Sequence, residues 1–248
     1  MKKVVAAVDA SDAAPAVLRS AALLATAFAA QIDAVHVRED GTGGARAAAR
    51  AATLDLRILE GDVVDRLVEL AQDADVAAVV LGARGRPEGR RPAGHVALQV
   101  ASRSSRPVVV VPPGSTAERL RRALVPMEAS LSGAEAVAEV IRELCAASCD
   151  VLILHVYDER SVPAFADQPQ HELEAFSQEF LRRYCPRPER ARLEVRSGSV
   201  ADEILALAAE ARADLIALSW GQRLEPERAF VVRRVLAESP VPVLLAPV

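Results

Sequence analysis

Gly82-Ala83-Arg84-Gly85, followed eight residues later by Gly94-His95, is the part of this chain best suited to hold an anion. Glycines let backbone N–H groups approach phosphate oxygens, and a helix opening near His95 adds the positive end of its dipole. Arg84, Arg86, Arg90 and Arg91 put positive charge in the same segment. A second segment, Asp9-Ala10-Ser11, follows the first apolar run and supplies a carboxylate and a hydroxyl. The residues alone leave two readings open, a phosphate-binding loop or a solvated basic loop. Other chemistries have less to work with. Ser11 has no His/Asp pair near it in sequence, and the metal spacings H-E-x-x-H and C-x-x-C are missing. Lysine occurs only at Lys2 and Lys3, which excludes a GxxxxGK loop. A dinucleotide site would want G-x-G-x-x-G after the first strand, where this chain has Asp9-Ala10-Ser11-Asp12.

The elements that must position these residues come twice. Val4–Val8 ends in Asp9-Ala10-Ser11, a second run ends in Val35-His36-Val37, Gly61-Asp62 opens a helical stretch, Val76–Leu81 leads into the glycines, and Arg106-Pro107 precedes four valines and Pro112. The second copy answers with Leu124–Met127 before Glu128-Ala129-Ser130, then Leu154-His155-Val156, Gly198-Ser199, Leu218-Ser219, and Val241-Pro242 running to Pro247. His36 and His155 are 119 residues apart, Leu81 and Leu218 are 137 apart, and Val108 and Val243 are 135 apart. A stepwise offset is what duplication plus insertion leaves behind. The extra length falls at Tyr157–Pro188, whose Phe165, Pro169, Phe176, Phe180 and Tyr184 predict a longer helix and loop than the first copy has.

The short apolar runs show no alternation, as expected of strands buried on both faces, and helical patterns separate them. Strands alternating with helices mean parallel pairing through right-handed crossovers. The fold class is therefore α/β, two tandem five-stranded α/β sandwiches over residues 1–115 and 120–248. Leu54–Leu59 is the least apolar strand of the first half and is placed near a sheet edge. Local signals predict Ser11 as the cap of the first helix, Asp62 as the cap of the third, and a Ser132/Glu135 capping box on the helix through Ala147.

Whole-chain properties exclude several classes. With 51% hydrophobic and 26% charged residues over 248, the chain is globular, and its net charge of −4 gives no bulk electrostatic case for nucleic acid or an anionic membrane. No apolar run approaches the ~20 residues that span a bilayer, and the apolar run after Lys2-Lys3 is too short for a signal-peptide core. Cys145, Cys149 and Cys185 form no paired framework, so the expectation is a cytoplasmic protein with reduced thiols. Cys145 and Cys149 read as small buried apolar side chains before they read as a metal pair.

The first half's "VVAAVDAS", "VHV", "ADVAAVVLGARG" and "SRPVVVVP", and the second half's "ALVPMEAS", "LHV", "ADLIALSWG" and "SPVPVLLAP", resemble a tandem universal stress protein, once per half. The resemblance implies the adenine nucleotide alpha hydrolase-like fold, with strand order 3-2-1-4-5 and fifth strands that pair antiparallel across a two-fold axis. Here that pairing is expected inside the chain, as a pseudo-dimer, with a further homodimer left open. The resemblance also implies a nucleotide site. Nucleotide-binding members carry G-2x-G-9x-G-[S/T]. Gly82, Gly85, Gly94 and His95 match it with a gap one residue short and with His95 in place of Ser or Thr. A one-residue change costs little closure entropy but shifts the N–H groups along the phosphates, and histidine can still donate to phosphate. By the same resemblance Asp9 and Ala10 meet the base and ribose, Val37 lines the adenine, and Leu81, Arg84 and Val96 border the phosphate loop. The second half carries Ser219, Gln222, Ala229, Phe230 and Glu128 at the matching positions, which argues against a nucleotide there. His36 and His155 occupy equivalent positions in a half with the motif and a half without it, which favours a structural role for both.

The expected function is a stress-response regulator whose first half binds ATP or a related adenine nucleotide, with Mg²⁺ accompanying it. No general base is evident, so hydrolysis would at most be slow. The alternative is a nucleotide-free stress-related interaction or dimerisation module, with an unidentified protein partner.

Overall fold

The computed structural model describes residues 1–38, 42–83, 95–116, 118–128, 130–157, 169–225 and 229–248, with the backbone alone at 169–174 and 176. The first half runs β1 (Lys3–Ala7), α1 (Ala14–Ala27), β2 (Gln31–Arg38), α2 (Gly43–Ala51), β3 (Leu56–Glu60), α3 (Val63–Ala71), β4 (Val76–Gly82), α4 (His95–Arg103) and β5 (Val108–Val111). The second runs β6 (Arg122–Pro126), α5 (Leu131–Ala146), β7 (Asp150–Tyr157), α6 (Pro169–Tyr184), β8 (Ala191–Ser197), α7 (Val200–Glu210), β9 (Leu215–Trp220), α8 (Phe230–Glu238) and β10 (Val243–Pro247).

All ten strands form one sheet, in the order β3-β2-β1-β4-β5-β10-β9-β6-β7-β8. Each half keeps the expected 3-2-1-4-5 order, and β3 is indeed an edge strand. The halves meet at the sheet's one antiparallel junction, where β10 pairs β5 with Val243 opposite Val110, Leu244 opposite Val109 and Leu245 opposite Val108. These strands are almost wholly apolar, and Val108–Val111 are buried throughout. An open apolar edge is an association hazard, and pairing the two edges covers both. Helices cover both faces. One core packs under α1, α2, α5 and α6, and the other under α3, α4, α7 and α8. Alternation along β1 sends Val4 and Ala6 to the first core and Val5 to the second.

The connection between the halves is fastened. Arg19 on α1 donates to the Ser115 carbonyl at 3.0 Å, and Ser115 is itself buried. Lys2 pairs with Glu143 and Glu139 on α5, and the Glu143 carboxylate holds the ammonium pKa above its ordinary value. Such a surface pair adds little to stability. The insertion does carry the longer helix, 16 residues in α6 against 9 in α2. Phe180 of α6 packs 5.0 Å from His155 on β7 and 4.9 Å from Tyr184. All three cysteines are buried in this half. Burial pushes the Cys149 thiol up to about 12 and raises Cys145 and Cys185 as well, which keeps them as neutral thiols.

Two capping expectations are corrected. Asp62 does cap α3, accepting from the Asp65 N–H at 3.0 Å. Ser11 does not cap α1, which begins after Ala13 without a side-chain cap. The Ser11 hydroxyl instead donates to Asp9 at 2.5 Å. The second-half helix is capped by Ser130, which accepts from the Gly133 N–H at 3.3 Å, and Ser132 already lies within the helix. Ser11 and Ser130 are repeat equivalents, and the residue two before each decides the outcome. Asp9 is short enough to take its serine's hydroxyl, whereas Glu128 leaves Ser130 to cap. Ser130→Ala is therefore expected to lower unfolding free energy by about 1 kcal/mol, read as a shift in denaturant midpoint at unchanged slope.

Candidate functional site

The sheet order turns between β1 and β4, because α1 leaves β1 toward one face while α4 follows β4 toward the other. A crevice opens at such a turn, beyond the carboxyl ends of the strands. Register fixes what lies at its mouth. Ala7 is level with Val35 on β2 and with Leu81 on β4. Two residues further along each chain bring Asp9, Val37 and Ala83 to one level. Val37, Leu81 and Ala83 are buried in the core under α3 and α4 and form the floor. Gly82 ends β4. His95, exposed, opens α4, and Val96 packs against the same core.

The first-half wall is held by local chemistry. The Asp9 carboxylate accepts from the Ser11 N–H at 3.0 Å as well as from its hydroxyl. The Ser11 oxygen accepts in turn from the Ala13 N–H at 3.3 Å. Asp9 is thereby turned back onto the loop that follows β1. Ala10 meets the first turn of α2, where a Cβ on Gly44 would lie 3.0 Å from the Ala10 Cβ. A side chain at 44 would need Ala10 to give by a few tenths of an ångström. The sequence had offered Ser11 as a helix cap rather than as Asp9's partner, and the Gly44 contact has no local signal.

Asp9, Ala10, Val37, Leu81 and Gly82 thus gather at one end of the sheet. His95 and Val96 join them at that end, since α4 runs back toward the start of β5. Arg84, Gly85 and Gly94 lie outside the described residues, as do Arg86, Arg90 and Arg91. Two hollows among the described residues lie elsewhere. One of ≈ 460 Å³ is lined by Asp33, Asp55 and Arg57 at the opposite end of β2 and β3. A second of ≈ 430 Å³ sits beside the linker at Glu118, Arg119 and Asp214. In neither do the groups converge as they do at the β1/β4 turn.

His36 and His155 make the same bond. His36 Nδ1 donates to the Val8 carbonyl at 2.8 Å and His155 Nδ1 to the Met127 carbonyl at 2.9 Å. A carbonyl only accepts, so Nδ1 carries the proton in each. Both rings pin the end of the second strand of the half to the chain just past its first strand, a structural role in both copies.

The second half presents a different surface at the equivalent level. Glu128, Val156 and Trp220 take the places of Asp9, Val37 and Ala83. Trp220 is 5% exposed and packs in the core under α7 and α8. Ser219 replaces Gly82, and its hydroxyl lies 3.3 Å from where a Cβ on Gly133 would stand. The first-half pair is Gly82 with Ala14, so the smaller residue has changed sides. Phe230 replaces His95 at the start of the helix and is 55% exposed.

The universal stress protein family model matches residues 1–56, 43–112 and 119–247. No curated protein matches the chain by sequence. Among solved structures, a universal stress protein from Archaeoglobus fulgidus DSM 4304 is similar at 17% identity and TM-score 0.68, over 99% of this chain and 98% of that one. A functionally unknown protein from Pseudomonas aeruginosa PAO1 is similar at 11% identity and TM-score 0.70, over 100% of this chain and 92% of that one. The cytoplasmic domain of a prokaryotic cation chloride cotransporter is similar at 9% identity and TM-score 0.56, over 99% of this chain and 95% of that one. At such identities the likeness is one of fold, and fold does not set function. No helix among the described residues is long and apolar enough to cross a membrane. The sequence match covers nearly the whole chain in both halves, and the sheet has the order that match implies: the chain belongs to the universal stress protein family.

Proposed function

We propose that the first half binds ATP or a related adenine nucleotide, with Mg²⁺, at the turn between β1 and β4, and that the chain is a nucleotide-responsive regulator in the stress response. In this reading residues 1–115 are the binding domain and residues 120–248 its built-in partner. The observation that carries it is the convergence of Asp9, Val37 and Gly82 at the turn in strand order, with α4 opening beside them. In this reading Asp9 exchanges its bonds to Ser11 for the ribose and base, Val37 and Leu81 form an apolar floor, and Gly82, Arg84, Gly85, Gly94 and His95 take the phosphates. The protein then responds to nucleotide rather than turning it over, and any hydrolysis is slow.

A second reading, an interaction module without nucleotide, draws on the apolar side chains exposed at the matching end of the second half, Leu131 at 56% and Phe230 at 55%. One titration separates the two. Mg-ATP at ~100 times its Kd should raise the unfolding free energy by about 2.7 kcal/mol. Gly94→Val should remove that shift. Ala229→Val crowds a fully buried position and lowers stability, yet should keep the shift. Absence of any shift at millimolar ATP discards the nucleotide reading. Equal loss from both substitutions discards its assignment to the first half.

A further inference from the structure

Gln222 follows β9 in the loop that answers the first half's glycine segment, and its repeat equivalent is Gly85, 137 residues earlier. Its side chain does not stay in its own half. The amide donates to the Ala101 carbonyl at 3.0 Å and to the Ser104 carbonyl at 2.6 Å. Both acceptors belong to the C-terminal end of α4, whose last carbonyls have no partner within the helix. α4 is the helix that His95 opens.

We propose that Gln222 is a clasp by which the second half holds α4 in position for the first half's ligand, so that nucleotide occupancy and the contact between the halves are thermodynamically linked. The ligand in this statement rests on the nucleotide reading above, while the clasp rests on its own hydrogen bonds. Three further observations support it. Gln222 has φ +57, a left-handed conformation that a non-glycine residue holds only when its surroundings enforce it. The chain after α4 is fixed on other sides too, Ser104 Oγ donating to the Arg106 carbonyl at 2.7 Å and Ser105 Oγ to the Ala71 carbonyl at 2.9 Å. The end of α8 repeats the first of these bonds, Ser239 Oγ donating to the Val241 carbonyl at 2.7 Å. No matching clasp can return from the first half, because Gly85 has no side chain. The substitution that spoiled the second glycine motif thus supplied a donor to the first half.

Gln222→Gly in the full-length protein tests this. Glycine suits the left-handed backbone, so the loop keeps its course while the amide is lost. Gln222→Asn is the second variant: it tolerates the same backbone but is one methylene too short to reach both carbonyls. Hydrogen exchange of the backbone amides at the end of α4 and through Arg106 should quicken about tenfold in both variants, and ATP should bind about tenfold more weakly. In the wild-type protein, saturating Mg-ATP should slow exchange at the same amides, and in the variants it should not. Unchanged exchange in both variants overturns the clasp whether or not ATP binds. Faster exchange with unchanged ATP affinity overturns the linkage. If the wild-type protein binds no ATP, the nucleotide reading and the linkage fall together, and faster exchange in the variants still upholds the clasp.

Discussion

Val109→Asp should destabilise the whole chain by several kcal/mol, although the substitution lies in the first half. Val109 is fully buried in β5, opposite Leu244 of β10 at the sheet's one antiparallel junction. A carboxylate there loses its hydration and gains no partner, which costs several kcal/mol. A domain's entire stability is about 5–15 kcal/mol. The effect should cross the junction because β5 and β10 each cover the other's apolar edge. The reporter is built in: the chain has one tryptophan, and Trp220 sits in the second half. Its emission and the far-ultraviolet circular dichroism should move to lower denaturant together. If the emission keeps its wild-type midpoint while circular dichroism falls, the halves fold independently and the junction does not couple them.

Trp220→Ala should cost about 3–5 kcal/mol, the usual range for emptying a buried aromatic position. Trp220 is the repeat equivalent of Ala83 and packs in the core under α7 and α8. Among the described residues its indole N–H has no hydrogen-bond partner, so its contribution is packing alone. Trp220→Phe keeps one aromatic ring and should cost less than Trp220→Ala. Denaturant titration followed by circular dichroism reads both. A loss below 1 kcal/mol for Trp220→Ala would mean that the indole is not packed in that core. Neither variant should gain ATP binding, since Glu128 and Phe230 remain.

The repeat made most of the fold legible. Unbroken apolar runs such as Val108–Val111 admit only strands buried on both faces, and helical runs between them require parallel crossovers. Boundaries moved by one or two residues, as where the third strand, read as Leu54–Leu59, runs Leu56–Glu60. The two capping errors have different causes. Ser11 and Ser132 both look like caps, but a serine hydroxyl goes to the strongest acceptor or donor within reach. For Ser11 that is the Asp9 carboxylate, and for α5 the chain had already begun its turn at Ser130.

The site was legible as composition more than as contact. Asp9, Val37 and Gly82 are far apart in sequence, and strand register makes them neighbours. The second half's loop had read as simple loss, since Gln222 stands where a glycine motif would need none of its side chain. Its partners, Ala101 and Ser104, lie more than a hundred residues away, and no local pattern points across such a distance.

By itself the sequence determined the duplication, the α/β class, the strand order through its family resemblance, and the asymmetry between one half that keeps its glycines and one that does not. These are properties of local spacing and of the match between two segments of the same chain. Tertiary structure alone decided the register of the β5–β10 pairing that the resemblance had implied, with Val109 opposite Leu244, and that Gln222 reaches α4. Both depend on which surfaces meet across the β5–β10 junction, and a side chain's partner across an interface is set by geometry that no sequence neighbour encodes.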